Sequence, residues 1–409
     1  MNVLFIHQNF PAQFVHLAPA LAADPKNDIR ALTPSNRPCP AGVKLHTYNI
    51  KRSSSKEIHP WLTDMETKTI RAEAAFWGAM QLKKEGFMPD LIIAHPGWGE
   101  SLFLKDVWPH AKLALYCEFY YQAVGGDVGF DPEFSTPELD MACRLKLKNA
   151  NFDLHLLQAD AGISPTHYQR STFPKHFQDK ISVIHDGIDT NRIKPNPQVT
   201  MRLNGMELTK NDEIITFVNR NLEPMRGYHI FMRALPKILK ENPKARVIIV
   251  GGDDVSYGSK PPEGTTWKQL FLNEVCDQLD LSRVHFVGKL PYPDFIQLLQ
   301  LSTVHVYLTY PFVLSWSLLE AMSAGCAIVA SDTAPVREVI KHNETGMLVD
   351  FFDVNAIAQQ VSYSLRNPKE RQRLGESARM LVSQQYDLEG MCLSQQKLWV
   401  EAAMGNNII

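Results

Sequence analysis

The chain lacks an apolar run long enough to span a bilayer. Its longest hydrophobic region, Val304 to Ala330, is broken by His305, Pro311, Glu320 and Gly325, whereas a membrane helix needs roughly 20 predominantly apolar residues. Paired cysteine motifs are missing too. The six cysteines, at 39, 117, 143, 276, 326 and 392, show neither CxxC spacing nor the density of a disulfide scaffold, which points to a reducing compartment. An excess of one charge sign is likewise absent: 42 Lys and Arg face 44 Asp and Glu, for a formal charge of −2. No global attraction to nucleic acid or to an anionic membrane follows from that balance. The opening MNVLFIHQNF has no basic flank and no small-residue cleavage site, so it is expected to be a first strand rather than a secretory signal. Nor does a GxGxxG follow that strand, and no P-loop occurs anywhere, which argues against a nicotinamide dehydrogenase and a P-loop NTPase.

What is present is an ordinary globular balance, 44% hydrophobic and 21% charged over 409 residues, enough for two or three domains with real cores. Short β-branched runs alternate with helical stretches, as in parallel sheets covered on both faces. Strands are expected at Val3–His7, Ile29–Thr33, Val43–Asn49, Leu91–His95, Leu113–Glu118 and Ile181–His185. Helices are expected around Phe14–Ala22, Leu62–Lys84, Glu100–Val107 and Glu138–Ala159. The Pro-containing stretch RIKPNPQVTMRLN reads as a connector. After it the alternation restarts, with strands at Glu213–Val218, Arg246–Val250, Val284–Val287, Val304–Leu308 and Ala327–Ala330, and three helices in series between Val354 and Ala403. The expected organisation is therefore a doubly wound domain over 1–197, a second over 198–385, and a C-terminal helix over 386–409 returning to the first. Ligands of such sheets bind at the carboxyl ends of the strands.

Two segments carry the clearest chemistry. In ITFVNRNLEPMRGYHIFMRAL a strand delivers Arg220, and a helix starts at Gly227 just after Arg226. Two guanidiniums there suit a diphosphate; two solvated surface arginines are the alternative. In YPFVLSWSLLEAMSAGCAIVASDT a strand runs through SWS into a helix carrying Glu320. The amides of Ser315, Trp316 and Ser317 would face an anion at the helix N-terminus, or the serines would be plain N-caps. A carboxylate set among Leu, Ala and Met needs a partner. Ribose hydroxyls would serve, as would Arg337 or a backbone N–H.

Taken in order, Arg220, Arg226 and Gly227, then VIIVGGD, VHFVGKL, LLEAMSAGCAIVASD and ETGMLVD resemble the donor-binding half of glycosyltransferase family 4. DLIIAHPGWGES, LQADAGISPT and ISVIHDGID extend the resemblance over nearly the whole chain. It implies an α/β GT-B architecture, two Rossmann-like doubly wound domains facing a central cleft. It also implies a retaining transfer from a nucleoside diphosphate sugar, UDP ahead of GDP, with no cofactor and no essential metal. By position, Arg220 and Arg226 would hold the diphosphate, with Arg at 226 where the family more often has Lys. Glu320 would take the ribose, the amides at 315–317 the phosphate, and the backbone around Val287 the base. His95, at the end of LIIAH, would sit near the transferred sugar. The family's first Glu, eight positions before the second, falls on Phe312. That departure leaves a second reading open: a catalytically weak or inactive glycosyltransferase-like binding subunit.

On the acceptor side, Glu118 ends LALYCE, and Asn9 and Gln13 lie in the first βα loop. Tyr120, Tyr121 and Phe130 belong to a long aromatic and acidic loop that would wall the acceptor, a glycan, lipid-linked, protein or small-molecule hydroxyl. Basic clusters at Lys51, Arg52 and Lys56 and at Lys83 and Lys84 would give at most weak contact with the inner face of a membrane. A cytoplasmic enzyme with no nucleic-acid partner is expected, and no heptad run or isolated apolar stripe speaks for an oligomer.

Overall fold

The computed structural model describes residues 1–135, 140–203 and 205–405. The chain divides into two compact units. The first comprises 1–129, 136–187 and 389–409, the second 130–135 and 188–388. The second unit thus begins ten residues before the sequence boundary at 197/198, takes in a short piece of the long loop, and ends just before the C-terminal helix.

The first unit is built on seven parallel strands: β1 (Asn2–Ile6), β2 (Asp28–Thr33), β3 (Lys44–Thr47), β4 (Leu91–Ala94), β5 (Lys112–Tyr116), β6 (Ala161–Ser164) and β7 (Ile181–Val183), in the order β3-β2-β1-β4-β5-β6-β7. The central strands β1 and β4 are apolar and almost wholly buried on both faces, as a sheet with helices on either side requires. The long helix expected from Leu62 spans Thr63–Lys84 and follows a short 3-10 turn at Pro60–Leu62. The last helix, Leu393–Ala403, packs Trp399 and Val400 into the core of β1, β2 and β5, and Trp399 Nε1 donates to the Gly162 carbonyl.

In the second unit an antiparallel pair, β8 (Thr200–Leu203) and β9 (Met206–Thr209), starts at the end of the stretch read as a connector. The main sheet is again all parallel: β10 (Ile214–Asn221), β11 (Arg246–Gly252), β12 (Val284–Phe286), β13 (Val304–Tyr307), β14 (Ala327–Ser331) and β15 (Met347–Val349), in the order β12-β11-β10-β13-β14-β15. Strand order reverses between β1 and β4 in one unit and between β10 and β13 in the other. Those are the points at which the crevice of a doubly wound sheet opens.

Three imidazoles are sealed into these cores. His155 lies between Ser101 Oγ and the Asn151 carbonyl, His305 Nδ1 meets Thr216 Oγ1, and His185 Nδ1 accepts the Gly187 N–H. Burial pushes each pKa from 6.5 down to about 4. Because the folded value lies below the unfolded one, the unfolded chain takes up protons first on acidification. Stability present above the unfolded value is then lost as pH falls toward the folded one. The thermal midpoint should drop progressively between pH 7 and pH 4.5, with a total loss on the order of a few kcal/mol. A midpoint that stays flat over that range would show that these imidazoles do not titrate differently in the two states.

Candidate active site

In the second unit the chain leaves β10 through an irregularity between Val218 and Asn221, which brings Asn219 and Arg220 to the carboxyl edge. Glu223 follows, 1% exposed. Its carboxylate accepts the backbone N–H groups of Ser256, Tyr257 and Gly258 at 3.1–3.3 Å, fastening the loop after β11 against the end of β10. A 3-10 turn at Pro224–Arg226 then closes on Gly227, whose φ of +69° suits glycine. A Cβ there would stand 2.3 Å from Leu308 Cβ.

That turn delivers Arg226 to the reversal point between β10 and β13. One terminal nitrogen, Nη1, donates to Thr309 Oγ1 at 2.7 Å and to the Val313 carbonyl at 3.0 Å. The guanidinium lies 5.1 Å from the Tyr257 ring centroid and 5.8 Å from that of Phe312. It is 5% exposed and has no ion-pair partner among the described residues. Arg220 is exposed and likewise unpaired among them. A cavity of about 290 Å³ opens here, lined by Val218, Asn219, Arg220, Glu223, Arg226, Val250, Tyr257, Lys289, Leu290, Phe295, Ser315 and Ser317. Three cations thus line one cavity with a single carboxylate in its wall, and that carboxylate is already occupied by three amides; among the described residues only Lys289 has another acid nearby, Asp254 at 3.6 Å in a pair open to water. Such a cavity suits a multiply charged anion.

Of the residues named from sequence, Arg220, Arg226, Ser315 and Ser317 are brought together there; Val287, Trp316 and Glu320 are not among its walls. The Val287 N–H extends the sheet by donating to the Ile249 carbonyl. The helix N-terminus differs from expectation. The Ser315 N–H donates to Tyr307 Oη, the Ser317 N–H to Ser315 Oγ, and the two serine hydroxyls bond each other at 2.9 Å. The Tyr307 hydroxyl and the Ser315 cap thus take the amides of 315 and 317, which are not free to face an anion. Glu320 pairs with neither Arg337, which binds Asp332, nor an amide. Tyr292 Oη donates to Glu320 Oε1 at 2.6 Å, and burial raises the carboxyl pKa while that bond opposes the rise. Lys289, Tyr257, Glu223 and Asn219 were not singled out from sequence. The signal for Lys289 was its place directly after the VHFVG loop.

In the first unit His95 ends β4 and caps a short turn. Its Nδ1 accepts the Gly97 N–H at 3.1 Å, which leaves the ring proton on Nε2, 3.3 Å from Glu118 Oε2. Gln13 Nε2 donates to the other Glu118 oxygen at 3.0 Å. His95, Glu118 and Gln13 therefore form one group, while Asn9 meets it only through a backbone N–H to His7 Nδ1. His7, missed from sequence, ends β1 beside the strand-order reversal. Its ring sits 5.3 Å from that of His95 and 4.8 Å from that of Trp98, its Nε2 is buried with no well-formed hydrogen bond among the described residues, and burial, reinforced by His95 and opposed by Gln13, holds its pKa well below the usual value.

Tyr120 does not join this group: its hydroxyl donates to Asp153 and its ring packs on Phe152 and Phe173. Tyr121 lies beneath the Lys148 ammonium, 3.6 Å from its ring centroid. Phe130 belongs to the second unit, between Tyr310, Phe351 and Phe352. The next residues fasten there too. Asp131 Oδ2 accepts from His229 Nε2 and Tyr310 Oη, and Arg233 grips both oxygens of Glu133. Donor atoms of Asp131, Glu133 and His229 lie within 4.8 Å of one another, but with a guanidinium already on Glu133 the group acts as a latch for the segment.

Comparison with known proteins agrees with this geometry. Residues 25–193 match the family model described as Glycosyl transferase family 4 group, and residues 204–380 the model Glycosyl transferases group 1. The D-inositol 3-phosphate glycosyltransferases of Corynebacterium urealyticum and Corynebacterium efficiens are 23% and 26% identical over 323 and 318 residues, covering 75% of this chain and 70% of each relative. Among solved structures, Anabaena Alr3699/HepE in complex with UDP and glucose has a TM-score of 0.65 at 17% identity, covering 98% of this chain and 100% of that one. Sucrose-phosphate synthase from Thermosynechococcus elongatus reaches 0.71 at 18% identity, covering 98% and 99%. The fold is GT-B, two Rossmann-like domains each with a parallel sheet. The chain carries a glycosyltransferase family 4 N-terminal domain followed by a glycosyltransferases group 1 domain, and it is a glycosyltransferase.

The close approach at Gly227 gives a direct test of how Arg226 is positioned. Gly227→Ala combines an unfavourable φ with a clash against Leu308 and should lower stability by about 2 to 4 kcal/mol in denaturant unfolding. A variant as stable as the parent would mean that this turn has room to shift.

Proposed function

We propose that this glycosyltransferase moves a sugar from a nucleoside diphosphate sugar, UDP ahead of GDP, to a hydroxyl of a glycan, lipid-linked, protein or small-molecule acceptor, with retention of anomeric configuration. The observation that carries the reading is the buried, carboxylate-free Arg226 beside Arg220 and Lys289 in a cavity at the carboxyl edge of the sheet. Solved neighbours that hold UDP, and UDP with glucose, support it.

In this reading the cations act on the leaving group. As the bond from the anomeric carbon to the diphosphate oxygen breaks, charge gathers on the diphosphate, where Arg220, Arg226 and Lys289 stabilise it. The acceptor oxygen bonds the anomeric carbon on the same face, and its proton passes to the departing phosphate oxygen. No side-chain base and no metal ion are needed for that balance. Ser315 and Ser317 offer hydroxyl contacts to phosphate or sugar. On the other unit, Glu118, held by Gln13 Nε2 and by the Nε2 proton of His95, is the candidate to orient acceptor hydroxyls, with His95 as its support.

Phe312 favours a second reading. It is 5% exposed and packed against Tyr257 and Arg226, so an aromatic ring stands where the family resemblance places an acid against the donor sugar. A binding subunit that retains the nucleotide site and lacks turnover would have this composition. For location, no helix of the described residues is long and apolar enough to cross a membrane. Of the basic clusters, Arg52 is paired with Glu73, whereas Lys83, bonded to the neutral Val107 carbonyl, keeps its charge; we favour a cytoplasmic enzyme with at most weak contact at the inner face of a membrane.

Because Arg220 is exposed, its removal tests the charge without emptying the core. In titration calorimetry with UDP, Arg220→Ala should bind about 10- to 100-fold more weakly, the worth of a charge-assisted hydrogen bond, with an unchanged thermal midpoint. Undiminished affinity would remove Arg220 from the site. Release of free sugar from the donor with retained anomeric configuration would favour the enzyme over the binding subunit.

A further inference from the structure

Glu320 is 7% exposed, and its single side-chain hydrogen bond among the described residues comes from a neighbour 28 positions earlier. Tyr292 follows the Gly288–Pro291 loop whose Lys289 and Leu290 wall the cavity, and it opens the helix Tyr292–Leu301. Its ring is half-exposed, with the Arg192 guanidinium 5.0 Å from the ring centroid. The phenol therefore stands at the solvent side of the carboxylate, with one edge in water and its hydroxyl directed at Oε1. Any hydroxyl ligand approaching Glu320 meets a carboxylate that already has one oxygen committed.

We propose that Tyr292 is the positioning residue for Glu320: its hydroxyl fixes one carboxylate oxygen so that the other is presented, ionised, to a ribose hydroxyl. The proposal rests on the donor-site reading above. A carboxylate buried to this degree would otherwise gain by taking up a proton, and a neutral carboxyl is a weaker acceptor for the ribose. The direction of both shifts is consistent: burial raises the Glu320 pKa and the Tyr292 bond works against it, while burial and Glu320 push the phenol up so that it keeps its proton. The other charged groups near the pair are Arg192 over the ring, Asp189 beside it, and Arg379 on the helix Pro368–Gln385, which is spent on the Ser323 and Ile193 carbonyls.

The test compares UDP with its 2′,3′-dideoxy analogue by titration calorimetry at pH 8 and pH 6, using the wild-type protein, Tyr292→Phe and Glu320→Gln. The wild type should prefer UDP at both values. Tyr292→Phe should keep the preference at pH 8 and lose about tenfold of it at pH 6, because without the phenol burial alone acts on the carboxyl and raises its pKa further. Glu320→Gln should show a small preference that is the same at both values, and Tyr292→Phe added to it should change nothing further. A Tyr292→Phe protein that discriminates as well as the wild type at pH 6, or that binds both nucleotides more tightly, would overturn the proposal and leave the donor-site reading standing. A wild type that binds UDP and the analogue equally would remove ribose recognition by Glu320, and with it the role of Tyr292.

Discussion

A buried cation without an anion is the constraint on which the second unit turns. Arg226 is nearly enclosed, yet the nearest acid in its own turn, Glu223, gives its carboxylate to three loop amides. Thr309 and Val313 satisfy two donor directions of one nitrogen, and two aromatic rings flank the plane. This arrangement fixes the guanidinium and leaves its charge uncompensated, which is costly in a partly dry site unless a ligand supplies the opposite charge. The same spending of Glu223 holds Tyr257 against Arg226. The loop after β11 and the turn after β10 are thus one mechanical piece.

Topology explains why that piece lies where it does. In a doubly wound sheet neighbouring loops diverge at the strand-order reversal, and side chains at the carboxyl ends of the two strands flank the gap. Arg220 and Arg226 come from the β10 side, while Thr309, Phe312 and Ser315 come from the β13 side. The first unit repeats the rule with different chemistry: His7 from β1 and His95 from β4 meet at its reversal, with rings 5.3 Å apart. One unit presents guanidiniums at its reversal and the other imidazoles.

Much of this was legible in the residues, because the central strands are continuous β-branched runs and the arginines sit at fixed distances from a glycine that only a tight turn explains. What escaped has physical causes. β6 is the four residues AGIS at the end of a long helix, too short and too poor in β-branched side chains to register as a strand. β8 hides at the end of a Pro-containing stretch, β9 lies just beyond it, and both exist by pairing with each other. The helix amides looked free because a sequence does not show that Tyr307, eight residues earlier, would supply a hydroxyl to Ser315. Tyr292 was invisible as the partner of Glu320 for the same reason, since that contact is made by folding and not by spacing. Tyr120 could be read from the sequence as an acceptor wall or as satellite core packing, and the packing partners it has, Phe152 and Phe173, lie 32 and 53 residues away.

Phe312 sharpens the functional question, since its effect on charge runs opposite to its effect on the sugar contact. A carboxylate in its place would lie close enough to Arg226 to cancel part of the positive field, and would add an acceptor for sugar hydroxyls. With a ring there, the sugar loses that acceptor, while Arg226 keeps its full charge and gains a cation–π contact worth about 0.5 to 2 kcal/mol. On the proposed reading the cavity would grip a diphosphate at least as firmly as an acid-bearing one and would specify the attached sugar less. Both the enzyme and the binding subunit require that grip. Ser315 and Ser317, with Asn219 and Tyr257, are neutral groups in its wall able to restore hydroxyl recognition without discharging the guanidinium, which is the stronger reason to read the site as one that still handles a sugar.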